Sequence, residues 1–378
     1  MSQLSFAMRI LQLVLIIQFV HAFAAESGLQ PSYEKLRDEK FPCTIHVVKV
    51  PRILKWEVRT LHAEGKALGL ENLSAQLQHL GTTGMVTAAI NGDYYVRQGT
   101  YAGDPRGLQI VRGELISAPA EGASFWIDAL DKPNLGVTSA KFTVHWPDGS
   151  SAPLEMNAPG KDNSLVLLTP AVGSPIKSRG GVNIVLERDG KSAWLPLRPG
   201  RAYSAKVKSA SKAREVEIAP ETLVISAGRK ATVPALSAGA IVRISTETEP
   251  SLRGVSEAVS GGPILVRNGK RASIKAPSSD SYEYSSMFER HPRSAIGWNN
   301  DYFFLVSIDG RQTGFSVGMT LEEFSAQLVK LGCENALNLD GGGSATLWFN
   351  GKVRNYLCDG YERNIANTLT IVEKKSGR

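Results

Sequence analysis

Between about residues 105 and 250 the chain has no stretch whose apolar residues recur at helical spacing. Short apolar or alternating runs stand in their place, at 108–111, 142–146, 164–169, 182–188, 222–226 and 240–246. Turn chemistry separates them: Pro147-Asp-Gly149, Arg188-Asp-Gly190 and Pro199-Gly200 all suit tight reversals. A chain with such a middle must bury its apolar residues in sheets. Among its 378 residues, 42% are hydrophobic and 21% charged, ordinary values for a protein with a sizeable core.

Helical signals flank this β-rich middle. Leu70, Leu73, Leu77 and Leu80 sit at helical spacing before Gly81, and the run 85–90 then reads as a strand. Strands are also expected at 44–50, 56–61, 264–267 and 302–308. Thr320-Leu-Glu-Glu323 is a capping box, followed by an apolar stripe of Leu321, Phe324, Leu328 and Leu331 that Gly332 ends. The basic stretch 206–214 has no interleaved aromatics and reads as a solvated loop or turn. The polar stretch 278–286 reads as a flap. The fold class expected is α+β, a β-rich mixed-sheet core with a few flanking helices.

Arg9 followed by an apolar run at 10–20 and by Ala22, Ala24 and Ala25 reads as a secretory signal, residues 1–25. The run is shorter than the ~20 residues a membrane span needs, so no stable membrane insertion is expected after cleavage. The expected location is exported, periplasmic or extracellular. The segment 26–84 is expected to be a lead-in packed on a main domain of 85–378. Cys43, Cys333 and Cys358 are too few for a disulfide framework; Cys333 and Cys358 flank one loop and are candidates for a bridge or for buried thiols. No zinc-ligand spacing occurs. A net charge of +7 with a pI near 9.2 suits anionic partners such as phosphate-bearing glycans, and the scattered basic residues argue against nucleic acid.

The strongest site signal is Asn338-Leu-Asp-Gly-Gly-Gly-Ser344. An extended run places Asn338 and Asp340 on one face, and three glycines then strip the backbone of side chains. Asn91-Gly-Asp93 repeats the Asn-x-Asp pattern. The preceding helices echo each other too, as Ser74-Ala-Gln-Leu77 and Ser325-Ala-Gln-Leu328. Two helix–strand units would then bring matching pairs to one cleft.

Taken with Gly261-Gly-Pro263, Arg290-His-Pro-Arg-Ser-Ala-Ile-Gly297, Asp309-Gly-Arg311, Ser316-Val-Gly-Met-Thr-Leu321 and Asp359-Gly-Tyr-Glu-Arg363, this loop resembles the phosphodiester glycosidase domain family over roughly 85–372. The resemblance implies an exported hydrolase that releases free sugar and a phosphomonoester from a sugar-1-phosphodiester. Bacterial members are linked to envelope or exopolysaccharide metabolism. Glycosidases commonly use two carboxylates, and a cation on the phosphate can take over much of the acid's role. Asp340, Asp93 and Asp309 are the candidate carboxylates, and His291 a candidate proton donor. Arg293 and Arg363 would hold phosphate, with Arg290 and Arg311 as weaker candidates. Asn91 and Asn338 would bond sugar hydroxyls, the amides of Gly341, Gly342 and Gly343 would cradle an anion, and Ser344 would bond ligand or loop. Each Asp also has a turn-forming or capping use. No cofactor is expected, and a divalent cation stays open. Two other readings stand beside this one: a metal-dependent phosphodiesterase cutting P–O, and a non-catalytic glycan-binding or exopolysaccharide assembly protein.

Overall fold

A computed structural model of the chain describes residues 30–39, 41–81, 85–274 and 286–374. The signal reading of 1–25 and all but the last residue of the flap reading of 278–286 lie outside them. The described residues form a β-rich α+β protein, in which two sheets and a barrel carry most of the structure.

The first sheet has seven strands, in the order Ser32–Asp38, Cys43–Pro51, Tyr302–Ile308, Arg293–Trp298, Asn335–Asn338, Ile264–Arg267 and Lys270–Arg271. The second has five: Lys352–Val353, Leu347–Phe349, Met85–Asn91, Asn367–Glu373 and Trp56–His62. Residues 43–62 thus supply strands to both sheets. The sheets pack face to face through Val48, Ile90, Ile296, Leu305, Leu337, Leu369 and their neighbours. That layer removes a large apolar area from water, and it sets the distance between the strand ends where loops meet.

Helix α1, Leu73–Gln78, covers the outer face of the five-stranded sheet, and α2, Leu321–Lys330, covers the outer face of the seven-stranded one. The repeated tetrapeptide therefore marks the same layer position twice. Helix α1 is shorter than its leucine spacing predicts. Glu71 bridges to Ile365, and the Asn72 side chain caps the helix by accepting from the Ala75 amide at 2.9 Å, so Leu70 stays outside it. Helix α2 starts as expected, with Thr320 and Glu323 capping each other.

Seven strands of the remaining sheet close on themselves: Ile241–Glu249, Ala202–Ser211, Gly180–Arg188, Leu223–Gly228, Leu165–Leu168, Ser151–Met156 and Pro133–His145, the last pairing back to the first. Leu165–Leu168 and Ser151–Met156 run parallel and their other pairings are antiparallel, which makes the sheet mixed. Phe142, Leu167, Leu186, Tyr203, Ile225 and Ile244 fill the interior. This corrects the loop reading of 206–214. Tyr203, Ala205 and Val207 point inward from Ala202–Ser211 while Lys206 and Lys208 face outward, so the lysines decorate a barrel strand. Closure leaves those strands without free edges.

The three cysteines are free thiols, with Cys43 and Cys333 buried. The bridge between Cys333 and Cys358 does not form. Cys333 packs behind Gly297 in the sheet, whereas the Cys358 thiol sits beside the Asp359 carboxylate on a loop.

Phe324 is fully buried between α2 and its sheet. Phe324→Ala should cost about 3–5 kcal/mol, and Thr320→Ala, which loses only the cap, about 1 kcal/mol. Urea unfolding would measure both. Equal losses would contradict the packing described.

Candidate active site

Strand ends of the two packed sheets meet at one loop cluster, and the Asn-x-Asp units make the joint. Asn91 ends the strand Met85–Asn91, and its Nδ2 donates to the Asp340 carbonyl at 2.6 Å. The Asp340 amide donates back to the Gly92 carbonyl at 2.9 Å. Asn91 Oδ1 also accepts from Ser294 Oγ at 2.7 Å and from the Thr346 amide at 3.1 Å. The two Asn-x-Asp units therefore touch, as the internal echo suggested. Asn91 is consumed in this joint, so it positions the site from within.

A cavity of about 280 Å³ opens beside the joint, lined by Tyr94, Arg97, Ser286, His291, Arg293, Arg311, Asp340, Gly341–Gly343 and Arg363. They come from several strand ends and loops. Arg293 opens the strand Arg293–Trp298; Arg311 follows the strand Tyr302–Ile308; Asp340 follows Asn335–Asn338. Tyr94 and Arg97 extend from the end of Met85–Asn91.

Asp340 is the carboxylate of the cavity wall. Burial pushes its pKa up, opposed by the Ser344 hydroxyl, the Gly341 amide and the guanidinium groups of Arg97 and Arg363. Asp93 lies behind it. Its two oxygens accept from the amides of Tyr94 at 2.8 Å and Gly107 at 2.9 Å, and burial still raises its pKa to about 7. Asp104, a third buried carboxyl, is pushed to about 8 by burial and by Asp93. Burial also raises Tyr94, whose hydroxyl accepts from Asn338 Nδ2 at 2.9 Å.

Four arginines line the cavity together with Asp340. Arg293 is 3% exposed and is fixed by donating to the carbonyls of Met319 and Glu289, each at 2.9 Å. Arg363 binds Asp359 through Nε at 3.0 Å and through Nη2 at 2.5 Å. Among the described residues, neither Arg97 nor Arg311 forms an ion pair with a carboxylate. His291 Nδ1 lies 3.5 Å from an Arg311 nitrogen.

Other expected site residues have different places. Asp309 does not line the cavity: its carboxylate accepts from the Tyr356 amide at 2.8 Å and pairs with His46 Nε2 at 2.9 Å. Arg290 turns away to Glu323 and the Gly318 carbonyl. Asn338 Nδ2 donates to the Tyr94 hydroxyl and the Gly262 carbonyl, while its buried Oδ1 has no hydrogen-bond partner among the described residues. Two loop amides are also taken, Gly341 by the Asp340 carboxylate at 2.8 Å and Gly342 by the Pro292 carbonyl at 2.9 Å. The cationic groups of the cavity wall are thus its guanidinium groups. The glycines are needed for packing: Gly342 has φ +59° with the Arg311 guanidinium 2.9 Å from where a Cβ would stand, and a Cβ on Gly343 would strike Arg363 and Asp359. Ser344 is fully buried behind Asp340.

Sequence reasoning passed over Tyr94, Arg97 and Asp104. Tyr94 directly follows the Asn91-Gly-Asp93 unit, and Arg97 lies only four residues beyond Asp93. Asp104 carried no signal, because only the fold brings it to Asp93. Among the described residues, no group of three or more His, Cys, Asp or Glu could hold a metal ion, and no helix is long and apolar enough to cross a membrane.

The raised carboxyls predict a pH-dependent stability. Asp93 and Asp104 titrate near 7 and 8 when folded and near 3.8 when unfolded. Between those values the folded protein holds protons that the unfolded chain has released. Stability should fall as pH rises from about 4 to 8, by roughly 1 kcal/mol per pH unit for each carboxyl. Melting temperature against pH would show it, and Asp104→Asn should flatten the slope. A slope of the opposite sign would contradict the assignment.

Comparison with known proteins adds three relatives. A Bacillus subtilis protein, the SPbeta prophage-derived YomE, is 41% identical over 83 residues, covering 22% of this chain and 13% of the relative. A Synechocystis protein of solved structure superposes with a TM-score of 0.72 at 19% identity, over 90% of this chain and 61% of that one. A Burkholderia pseudomallei protein, described as a candidate exported protein, superposes with a TM-score of 0.65 at 18% identity, over 87% and 74%. These superpositions show a shared fold. The chain thus spans less than two thirds of the length of the Bacillus and Synechocystis relatives. Residues 202–372, which hold the glycine loop, Arg293, Arg311 and Arg363, match the family model described as phosphodiester glycosidase. That region, a little under half of the chain, is similar to the phosphodiester glycosidase domain family.

Proposed function

We propose that this protein hydrolyses the glycosidic C–O bond of a sugar-1-phosphodiester in an envelope or extracellular glycan, as an exported enzyme. One observation carries the reading: four arginines and one buried carboxyl, Asp340, line a single cavity, and the charges of Arg97 and Arg363 act on that carboxyl. A cavity of this kind suits a substrate that is anionic at phosphate and becomes cationic at the anomeric carbon. The family match supports the same bond class.

In this reading the arginines hold the phosphate before reaction and stabilise it as it leaves. Arg97 and Arg311 make the adjustable contacts, and Arg293 and Arg363 the fixed ones. The C1–O bond breaks with its electron pair going to the phosphomonoester. Asp340 stabilises the oxocarbenium-like centre and takes a proton from the water that attacks C1. Asp93, whose oxygens face two backbone amides, holds the loop and sets the electrostatics of Asp340. In this reading His291, which lines the cavity, donates a proton to a phosphate oxygen.

Purified protein, given a panel of sugar-1-phosphodiesters, should release free reducing sugar and a phosphomonoester, with the rate unchanged by EDTA. Asp340→Asn should lower kcat by on the order of a hundredfold or more. Arg311→Ala should raise KM about tenfold with a smaller effect on kcat. Release of sugar-1-phosphate abolished by EDTA would instead establish P–O cleavage at a metal site. Saturable glycan binding without turnover, unaffected by Asp340→Asn, would establish a binding protein.

A further inference from the structure

The proposed reaction changes the charge of the phosphate. A phosphodiester carries one negative charge at neutral pH, whereas the phosphomonoester product, with a second pKa near 6, carries close to two. A cavity of four arginines therefore favours its own product by simple Coulomb attraction. An enzyme so built needs a counter-charge that is tolerable to the substrate and unfavourable to the product.

Asp359 is placed to supply it. Its Oδ2 pairs with Arg363 Nε at 3.0 Å and Nη2 at 2.5 Å. Both side chains press on the α-carbon of Gly343 in the cavity wall: a Cβ there would collide with Arg363 Nη2 and Asp359 Oδ2 alike. The carboxylate thus stands directly behind a lining cation, about a quarter exposed, at 23%. The hydrogen bond and charge of Arg363 hold the pKa of Asp359 below the usual range although burial opposes this. Glu289 is another carboxylate nearby, 3.7 Å from His291 Nε2 and itself 63% exposed. Solvent screens it far more than Asp359.

We infer that Asp359 is a specificity-determining residue, which offsets Arg363 so that the cavity prefers the monoanionic diester to the dianionic monoester. The inference rests on the glycosidase reading for its meaning, but not for its measurement. The pair also positions Arg363, and a purely positional role predicts a different result. Losing position weakens both anions together. Losing the counter-charge strengthens the dianion selectively.

The test is equilibrium binding at pH 8 with two probes, phenyl phosphate as the dianion and methyl phenyl phosphate as the monoanion. The wild-type protein should bind the dianion no more tightly than the monoanion. Asp359→Asn should tighten the dianion by about three- to tenfold and leave the monoanion within about twofold. Asp359→Glu should restore the wild-type ratio. Wild-type protein that prefers the dianion tenfold would overturn the inference, whether or not the variant folds. Equal changes for both probes in Asp359→Asn would overturn it too. Because binding needs no turnover, discrimination without catalysis would count against the glycosidase reading alone.

Discussion

The site depends on one joint. Asn91 donates to the Asp340 carbonyl and accepts from Ser294 and Thr346, and the Asp340 amide returns to Gly92. These contacts tie the end of a strand in one sheet to the end of a strand in the other. Asn91 is 1% exposed, so removing its side chain would leave buried donors unpaired, each costing about 1–3 kcal/mol. The same joint presses Asp340, Asp93 and Asp104 into a region where ionisation is unfavourable, and their raised pKa values follow from that. Arginines on the neighbouring strand ends then face a carboxyl whose charge they help to stabilise.

Much of the framework was legible in the chain itself. The capping box at Thr320, the strands around residues 43–62 and the turn-punctuated middle all depend on local chemistry, which a sequence displays directly. Barrel closure was not legible, because pairing of Ile241–Glu249 with Pro133–His145 is a contact between distant segments. The strand Ala202–Ser211 was hidden by its lysines, although the alternation of Tyr203, Ala205 and Val207 was present.

The site was legible in its members more than in their roles. Asp340, His291, Arg293 and Arg363 all reach the cavity, and so does the glycine loop. Asn91, Asn338 and Asp309 stood out equally in the sequence, yet Asn91 and Asp309 are spent on holding the structure, as is the Asn338 amide nitrogen. A motif cannot distinguish a residue that meets a ligand from one that holds the residue meeting it. Only the direction of each hydrogen bond does so. The glycine loop shows the same thing: its glycines admit Arg311, Arg363 and Pro292 to close packing, and two of its amides are already occupied.

In the proposed reaction the bond broken lies between the anomeric carbon and its oxygen. Hydrolysis in water enriched in heavy oxygen, followed by mass spectrometry of both products, reads this directly. The account predicts the label in the released sugar, at its anomeric hydroxyl, and none in the phosphomonoester. Label in the phosphate would mean attack at phosphorus, and would contradict the roles given to Asp340 and the four arginines.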